Sequence, residues 1–408
     1  MLFLRIALRN IWRCKLKSAL TILICICICT LLNLYWGNIV SNRNQLVGLA
    51  ESMPIFCKIT NLNGSMESGL EIPEEQILNL QSSSHVKNPV FTVHLMAGEG
   101  EFLVEDWRKH LKIPVIGTNS IQGVEGITSE QITLKEGTSH DFLNTAVRSC
   151  IVSQRLMKEY NWKIGSSVSL NLYYYRHENE YFLKLDPLDL VDFQIIGTME
   201  EAPFKDDGYL PPEIILPFEA VQEIYHAKEI PFSADSTSFY LADPLKINDF
   251  KAEMKKNHLL PIAPYAKDSY KGVALFVKDS VFIDAANRLR QVMDTLLKFL
   301  PIVLVIVIFI GYIISYMMVY SRKKDFSIMR SIGFRYKEVF AVFFLEQFLL
   351  ALCGNIVYCI ISAIFITQNL SILLVVNLWF LINFMLGNVI SIWIFGKRNV
   401  MEALSRND

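Results

Sequence analysis

The sequence lacks the motif that binds nucleotide phosphates in most ATPases. A Walker A loop needs a glycine followed five residues later by Gly-Lys-Ser/Thr, and no such run occurs in the 408 residues. The nearest approach is Gly396-Lys397, but arginine follows it and the upstream glycine is missing. The chain therefore has no phosphate cradle of this kind, and any energy that it uses must come from another polypeptide.

Metal-binding and hydrolytic motifs are also absent from the sequence. Its histidines never recur at i+3 or i+4, and Gly-x-Ser-x-Gly, His-Glu-x-x-His and Cys-x-x-Cys do not occur. Pairs of neighbouring carboxylates are present, but on an acidic surface they are usually solvated. We therefore predict no catalytic, cofactor-binding or metal residue and a chain that is not an enzyme. The histidines are His85, His94, His110, His140, His177, His226 and His258, and the acidic pairs are Glu74/Glu75, Glu200/Glu201 and Asp206/Asp207.

Cysteines are scarce outside the apolar runs of the sequence. Most of the eight lie within those runs, where they act as small apolar residues, and Cys14 precedes the first one. Only Cys57 and Cys150 lie in the polar central region. They could form one disulfide or stay reduced, because pairing cannot be deduced from sequence.

Long apolar runs dominate what the sequence does contain. A helix needs roughly 20 apolar residues to cross the hydrocarbon core, and four runs reach that length. The central region has no comparable run and should fold in water. The predicted order is an amphipathic helix (1–17), a first span (18–40), an extracytoplasmic domain (41–295), a second span (296–320), a connector (321–338), a third span (339–366), an external turn (367–371), a fourth span (372–395) and a tail (396–408).

The distribution of lysine and arginine predicts the orientation of these spans. Clusters of cations precede the first span and fill the connector, whereas the turn 367–371 carries none. Short loops rich in Lys and Arg stay in the cytoplasm. Both termini and the connector are therefore predicted to be cytoplasmic, and residues 41–295 extracytoplasmic.

Two basic segments have helical spacing. Arg5, Arg9, Arg13 and Lys17 recur at steps of four, which places them on one face of a helix that would lie on the membrane surface. This helix could serve only as a topology signal, or it could bind a partner protein. The connector alternates cations with apolar residues and predicts a second short amphipathic helix. Its cations are Arg322, Lys323, Lys324, Arg330, Arg335 and Lys337, and its predicted apolar face is Phe326, Met329, Ile332 and Gly333.

The central region reads as a mixed α+β domain in two halves, about 54–150 and 150–278. Apolar residues at steps of three and four continue beyond the first span and precede the second, and both membrane helices should extend outward as stalks. The first half contains the runs 54–59 and 112–118 and a predicted helix Pro73–Leu80. In the second half, the segment 150–175 predicts a strand, the helix Ser153–Tyr160 and an alternating strand at 168–172, and the segments 191–201 and 213–225 add two more strands and a helix. The last piece predicts a helix Ile247–Asn257 and a strand at 272–277.

Two further features allow two interpretations each. Glu346 lies about two turns into the third span, where a carboxylate is costly unless it is paired or close to water. It could form a structural ion pair with a basic residue near the membrane surface, or act as a proton-driven or conformational switch. The aromatic cluster at residues 173–182 could bind an amphipathic ligand or pack as one face of a β-hairpin.

Four segments in the correct order resemble the FtsX-like permeases of MacB-type (type VII) ABC transporters. One lies at the first span, one in the connector, one in the central region, where it consists of two stretches, and one in the tail. They are ALRNIWRCKLKSALTIL (Ala7–Leu23), RKKDFSIMRSIGFRYKEVFAVFFLE (Arg322–Glu346), VSQRLMKEYNWKIGSSVSL (Val152–Leu170) with FQIIGTMEE (Phe193–Glu201), and NVMEALSR (Asn399–Arg406).

The resemblance implies a membrane α-helical protein with four transmembrane helices and a large extracytoplasmic α+β domain on helical stalks. It implies a bacterial cytoplasmic (inner) membrane, a separate ABC ATPase of the MacB, LolD or FtsE kind that holds ATP and magnesium, and a second permease copy or paralogue. An extracytoplasmic partner protein is compatible with it, and no nucleic acid is expected. Ser327, Ser331 and Val400 depart from the family pattern, which favours a heterodimer over a homodimer.

The connector would then be the coupling helix that the ATPase contacts. The residues implied are Arg322, Lys323, Lys324, Arg330, Ile332, Gly333 and Phe334. Replacing Arg330 and Gly333 is expected to uncouple ATP hydrolysis from function. The transporter would export or extract amphipathic cargo such as peptides, lipoproteins or drugs. Two alternatives remain: an FtsX-like transmitter that regulates a cell-wall hydrolase, and a receptor that signals through its connector.

Overall fold

The computed structural model describes residues 2–99, 113–178, 183–203, 210–267, 272–365 and 370–397. It divides into two compact units. The membrane unit contains Met1–Leu49 and Asp284–Asp408, and the α+β unit contains Ala50–Ile283. The α+β unit is therefore one contiguous insertion, and it lies within the predicted range 41–295.

The described residues of the membrane unit are helical apart from Cys14, Arg322 and the turn at 332–335. Four of its helices are long and apolar enough to cross a membrane, which confirms the predicted number of spans. Its helices are α1 (Leu2–Arg13), α2 (Lys15–Ser52), α7 (Ser280–Ser321), α8 (Lys323–Ser331), α9 (Tyr336–Phe365) and α10 (Leu370–Lys397).

The helix bounds differ from the predicted spans at several ends. The amphipathic helix predicted for 1–17 ends at Arg13, and α2 takes up Lys17. Helices α2 and α7 continue well beyond the apolar runs, to Ser52 and back to Ser280. The helix α10 includes residues 370–371 and 396–397, so the predicted turn and tail are shorter, and their remaining residues lie outside the described ranges.

Two apolar clusters hold the membrane unit together. The first, the connector-end cluster, contains Val319, Phe326, Val339, Phe343 and Ile392, with α8 contributing Phe326. The second, the mid-bundle cluster, joins α2, α7, α9 and α10. Its fully or almost fully buried members are Cys25, Ile28, Cys29, Leu32, Val307, Ile314, Ala351, Tyr358, Leu373, Val376, Phe380, Phe384 and Met385.

Glycines allow the membrane helices to approach closely. A Cβ on Gly311 of α7 would lie 2.6 Å from the carbonyl oxygen of Phe384, and one on Gly387 of α10 would lie 2.7 Å from the backbone nitrogen of Tyr312. A Cβ on Gly354 of α9 would meet the Cβ of Cys25 at 2.7 Å. Small residues at such crossings let backbones pack together in a membrane, where hydrophobic driving force between helices is missing.

The α+β unit contains twelve strands and four short helices among its described residues. The strands are β1 (Phe56–Asn61), β2 (Ile72–Pro73), β3 (Val86–Glu99), β4 (Ile113–Thr118), β5 (Ile132–Leu134), β6 (Ser149–Ser153), β7 (Ser167–His177), β8 (Leu183–Met199), β9 (Ile214–Pro217), β10 (Ser233–Ala234), β11 (Ser236–Leu241) and β12 (Val273–Val277). The helices are α3 (Glu74–Ser82), α4 (Gln154–Glu159), α5 (Phe218–Ala227) and α6 (Ile247–Lys256).

Six of these strands close into a mixed barrel in the order β3-β4-β9-β6-β8-β7. The long strand β3 makes closure possible because it changes neighbours along its length. Residues 86–92 pair with β11, and residues 95–99 pair with β7. Strands β11, β1 and β12 extend the sheet from the first half of β3. The two predicted halves therefore do not form separate sheets, since strands from both close the same barrel.

The interior of the α+β unit is apolar and aromatic. Every residue of β4, β6 and β9 is buried, and α5 covers β4 through Val221, which packs where Gly117 leaves room. In the aromatic cluster at 173–182, Tyr173 is buried and the ring of Tyr174 meets Tyr225 edge-on at 5.5 Å. The hairpin-packing interpretation is thus correct for these tyrosines. Residues 181 and 182 lie outside the described ranges.

Cys57 and Cys150 do not form a disulfide. Both thiols are free and buried, one on β1 and the other on β6. Desolvation by burial raises the pKa of each thiol to about 12, with the Asp279 carboxylate adding to the effect at Cys57.

The reactivity of these thiols follows from their pKa. Because only the thiolate attacks alkylating reagents, iodoacetamide should modify Cys57 and Cys150 at least about a thousandfold more slowly in the folded protein than in denaturant. Peptide mapping by mass spectrometry would measure both rates, and the half-buried Cys14 is the internal control. Modification of Cys57 as fast as that of Cys14 would contradict this account.

Candidate functional site

The connector helix α8 is amphipathic, and its apolar face packs into the bundle. Phe326 is buried in the connector-end cluster, where its ring lies 5.7 Å from Phe343 and 5.4 Å from Phe395. Met329 packs against the same cluster. Ser327 is also buried, and its hydroxyl donates to the carbonyl of Lys323 at 3.1 Å. The helix is therefore anchored to α7, α9 and α10 along one side.

The opposite side of α8 carries exposed apolar and basic residues. Lys324, Ile328 and Ile332 follow each other at steps of four and form one stripe, which we call the connector stripe. Ile328 is 54% exposed and Ile332 is 72% exposed. The sequence prediction placed Ile332 on the same face as Phe326 and did not single out Ile328. The structure corrects both points. The apolar residues of α8 lie on two faces: Phe326 faces the bundle, whereas Ile328 and Ile332 are exposed.

The turn after α8 depends on Gly333. Its φ of +104° lies in the left-handed region that favours glycine. The N–H of Phe334 donates to the carbonyl of Met329 at 3.2 Å, and the Arg330 guanidinium donates to the carbonyl of Phe334 at 3.2 Å. The first bond satisfies a carbonyl of the last turn of the helix, and the second ties the Arg330 side chain to the turn that follows it. Arg330 and Gly333 thus shape the turn, and replacing them would disturb the connector itself.

Arg322 lies at the junction of α7 and α8 and pairs with Glu346 of α9. Its Nη2 contacts Glu346 Oε1, and its guanidinium lies over the ring of Phe343 at 5.0 Å from the centroid. Glu346 is 0% exposed and Arg322 only 8%. Of the two interpretations of Glu346, the structure supports the ion pair. Arg322 is thereby held inside the bundle and away from the surface that the other connector cations share.

The remaining predicted connector residues have intermediate positions. Lys323 is half-buried, with its ammonium 5.6 Å from the centroid of the Tyr320 ring. Phe334 is half-buried and packs against the connector-end cluster. Lys324, Arg330, Ile332 and Gly333 are exposed. The seven residues are close in the chain, but only part of the set presents side chains to solvent.

The N-terminal helix α1 packs against the membrane unit. Ala7 is fully buried, and the side chain of Asn10 lies beside the Glu346 carboxylate. The predicted surface cations Arg5, Arg9, Arg13 and Lys17 are exposed. The helix therefore has a buried side that reaches the ion pair and an exposed side that carries its charge.

Metal-ligating clusters are not found in the part of the chain that the structure describes: no three His, Cys, Asp or Glu side chains converge there. Histidines instead pair singly with carboxylates in the α+β unit. His94 Nδ1 lies 3.2 Å from Asp235 Oδ2, and His226 Nε2 lies 3.1 Å from Glu74 Oε2. These contacts bridge separate elements of that unit and fit structural ion pairs or hydrogen bonds.

The helices and the connector define a polytopic membrane protein that carries a large α+β domain. Residues 298–396 match the family model described as FtsX-like permease C-terminal, so this part of the chain is similar to the FtsX-like permeases. Members of this family are membrane components of ABC transporters and not enzymes themselves.

Solved structures with a distant likeness were also found. The periplasmic region of MacB from Actinobacillus actinomycetemcomitans is 12% identical, covering 57% of this chain and 92% of that one at a TM-score of 0.32. A domain of a protein from Porphyromonas gingivalis described as a permease is 12% identical, covering 55% and 87% at a TM-score of 0.29. No curated protein matches the chain.

Proposed function

We propose that this chain is the permease subunit of a MacB-type ABC transporter and that a separate ATPase drives it through α8. The observation that carries the proposal is the connector stripe. It exposes Ile328 and Ile332 beside Lys324 on a helix whose other face is fixed in the bundle. Exposed apolar residues rimmed by charge are typical of protein interaction sites.

Because α8 is packed against the bundle, it is placed to transmit a displacement or a rotation to the membrane helices. Phe326 connects it to α7, α9 and α10 through the connector-end cluster. Arg322, which directly precedes the helix, is tied to α9 by its ion pair with Glu346. A displacement of α8 would therefore move three membrane helices together, because packed interiors transmit strain.

The proposed orientation places the connector and both termini in the cytoplasm of a bacterium, with the α+β unit outside the inner membrane. The exposed cations Arg5, Arg9, Arg13 and Lys17 support it, since Lys and Arg concentrate on the cytoplasmic side. ATP and magnesium would be bound by the partner ATPase. Two permeases would act together, and α2 and α7 would carry motion outward to the α+β unit, which would export or extract amphipathic cargo.

A double variant, compared with a matched control, tests the contact with the ATPase. Replacing Ile328 and Ile332 by serine removes the apolar part of the connector stripe without touching the turn at Gly333. We expect at least about tenfold less ATPase to co-purify from native membranes, because losing such a contact costs more than about 1.4 kcal/mol. Quantitative mass spectrometry of the eluate measures the loss.

The matched control replaces Ile360 and Ile364 by serine. These residues are exposed at the same spacing near the other end of α9. Retention of the ATPase by the control and its loss from the stripe variant would support the proposal. Equal ATPase recovery with both variants would contradict it. A co-purifying hydrolase would instead favour a non-transport transmitter, and absence of any ATPase from the wild-type eluate would favour a receptor.

A further inference from the structure

Three of the buried polar side chains of the membrane unit belong to three different helices and form one group. They are Ser315 of α7, Gln347 of α9 and Asn388 of α10, and each is 0% exposed. We call them the polar layer. Polar groups are expensive at such depth unless they have partners, and they commonly mark function in membrane proteins.

The register of the helices places these residues at one level. Val319, Phe343 and Ile392 pack together in the connector-end cluster. Ser315 and Asn388 each precede a member of that cluster by four residues, and Gln347 follows a member by four. A step of four keeps the same helix face and moves about one turn along the axis.

The directions of the helices put all three on the same side of that cluster. Continuing along α9 from Phe343 leads to Ala351, whereas going back along α7 and α10 leads to Ile314 and Phe384. These three residues belong to the mid-bundle cluster. Along α7, α9 and α10, the polar layer therefore lies between the two apolar clusters.

Most polar atoms of the layer have no hydrogen-bond partner among the described residues. These atoms are Ser315 Oγ, both amide atoms of Gln347 and Asn388 Oδ1. The Asn388 amide nitrogen donates to the sulfur of Met385 at 3.3 Å, a weak acceptor. An unmade hydrogen bond in an apolar surrounding is unfavourable, so the protein side chains alone do not satisfy this layer.

We propose that the polar layer is a binding site for ordered water. A buried water needs two to four polar partners, and this layer offers both donors and acceptors. A cation site would need convergent oxygens without donors, and the buried charges Arg322 and Glu346 already compensate each other. Bound water would let α7, α9 and α10 shift while their polar groups exchange partners. The proposal does not depend on the ATPase contact.

Hydroxyl-radical footprinting of the full-length protein in detergent micelles tests the site without mutation. Radicals generated by X-rays from a bound water oxidise the side chain next to it, and mass spectrometry measures the rate at each methionine. Met385 contacts Asn388, and Met96 is a comparably buried methionine of the α+β unit. We expect Met385 to be oxidised at least about tenfold faster than Met96, because bound water stays at polar sites while apolar cores remain dry.

The variant Asn388→Leu separates bound water from bulk access. It keeps a side chain of similar size and removes one partner of the water, so the rate at Met385 should fall to that of Met96. A wild-type rate at Met385 no higher than at Met96 would overturn the proposal. A high rate that Asn388→Leu leaves unchanged would also overturn it, since the radicals would then come from outside the bundle. The wild-type comparison remains decisive if the variant does not fold.

Discussion

Replacing either member of the Arg322–Glu346 pair alone should destabilise the membrane unit by about 3–5 kcal/mol, since each change leaves an uncompensated charge in the bundle. Arg322→Met would leave the Glu346 carboxylate, which is fully buried, without an opposite charge. Glu346→Leu would leave the Arg322 guanidinium, which lies over the ring of Phe343, without an opposite charge. Thermal unfolding of the purified protein in detergent would show the loss, together with a lower yield from membranes.

Replacing both partners should restore most of this stability. Charge-neutral, apolar replacements of a buried ion pair are often neutral or stabilising, because the desolvation cost of both charges is removed. Lys324→Met is the control for loss of one exposed connector cation. A double variant as unstable as either single variant would mean that packing, and not charge, dominates at this site. A stable double variant that retains no ATPase coupling would assign the pair a role in coupling.

Adding a single methyl group at Gly387 should also be severely disruptive. Its Cβ would meet backbone atoms of α7 at Ile308, Gly311 and Tyr312, and backbone cannot move aside as a flexible side chain can. We expect Gly387→Ala to cost about 1–3 kcal/mol, and a larger side chain more, through separation of α7 from α10. Thermal unfolding in detergent measures the change.

Gly48 provides a control for the intrinsic effect of replacing a helical glycine. It lies within α2, and no atom lies within 4 Å of its would-be Cβ. Gly48→Ala should therefore stabilise the protein by about 0.5–1 kcal/mol, because alanine loses less backbone entropy in a helix. A Gly387→Ala variant as stable as Gly48→Ala would contradict the close crossing of α7 and α10.

Local signals in the sequence predicted several short helices of the α+β unit to within two residues at each end. Ser153 is the N-cap of α4, where its hydroxyl accepts from the N–H of Leu156, and the predicted helix Ser153–Tyr160 differs from the observed one by one residue at each end. The helix predicted from Pro73 begins directly after it, at Glu74. Caps and periodicity depend on neighbours in the chain, and sequence contains that information.

Long-range arrangement was harder to predict. Closure of the barrel depends on β3 changing partners along its length, which no local pattern in residues 86–99 indicates.

Prediction of the candidate site from the sequence was limited in the same way. The sequence could show that Glu346 needed a partner, but choosing Arg322 among six connector cations required the packing of α8 on α9. The polar layer was not foreseen because its three residues are distant in sequence.

Photocrosslinking from Ile332 tests the central claim most directly. A benzoylphenylalanine residue placed at this exposed position of the connector stripe should, in native membranes, form an adduct with a protein that contains a Walker A motif. The same group at Trp393, which is half-exposed on α10, should not form that adduct. An ATPase adduct from position 332 alone would establish α8 as the contact. Adducts only with other proteins or lipid at position 332, in membranes where the ATPase co-purifies with the chain, would contradict it.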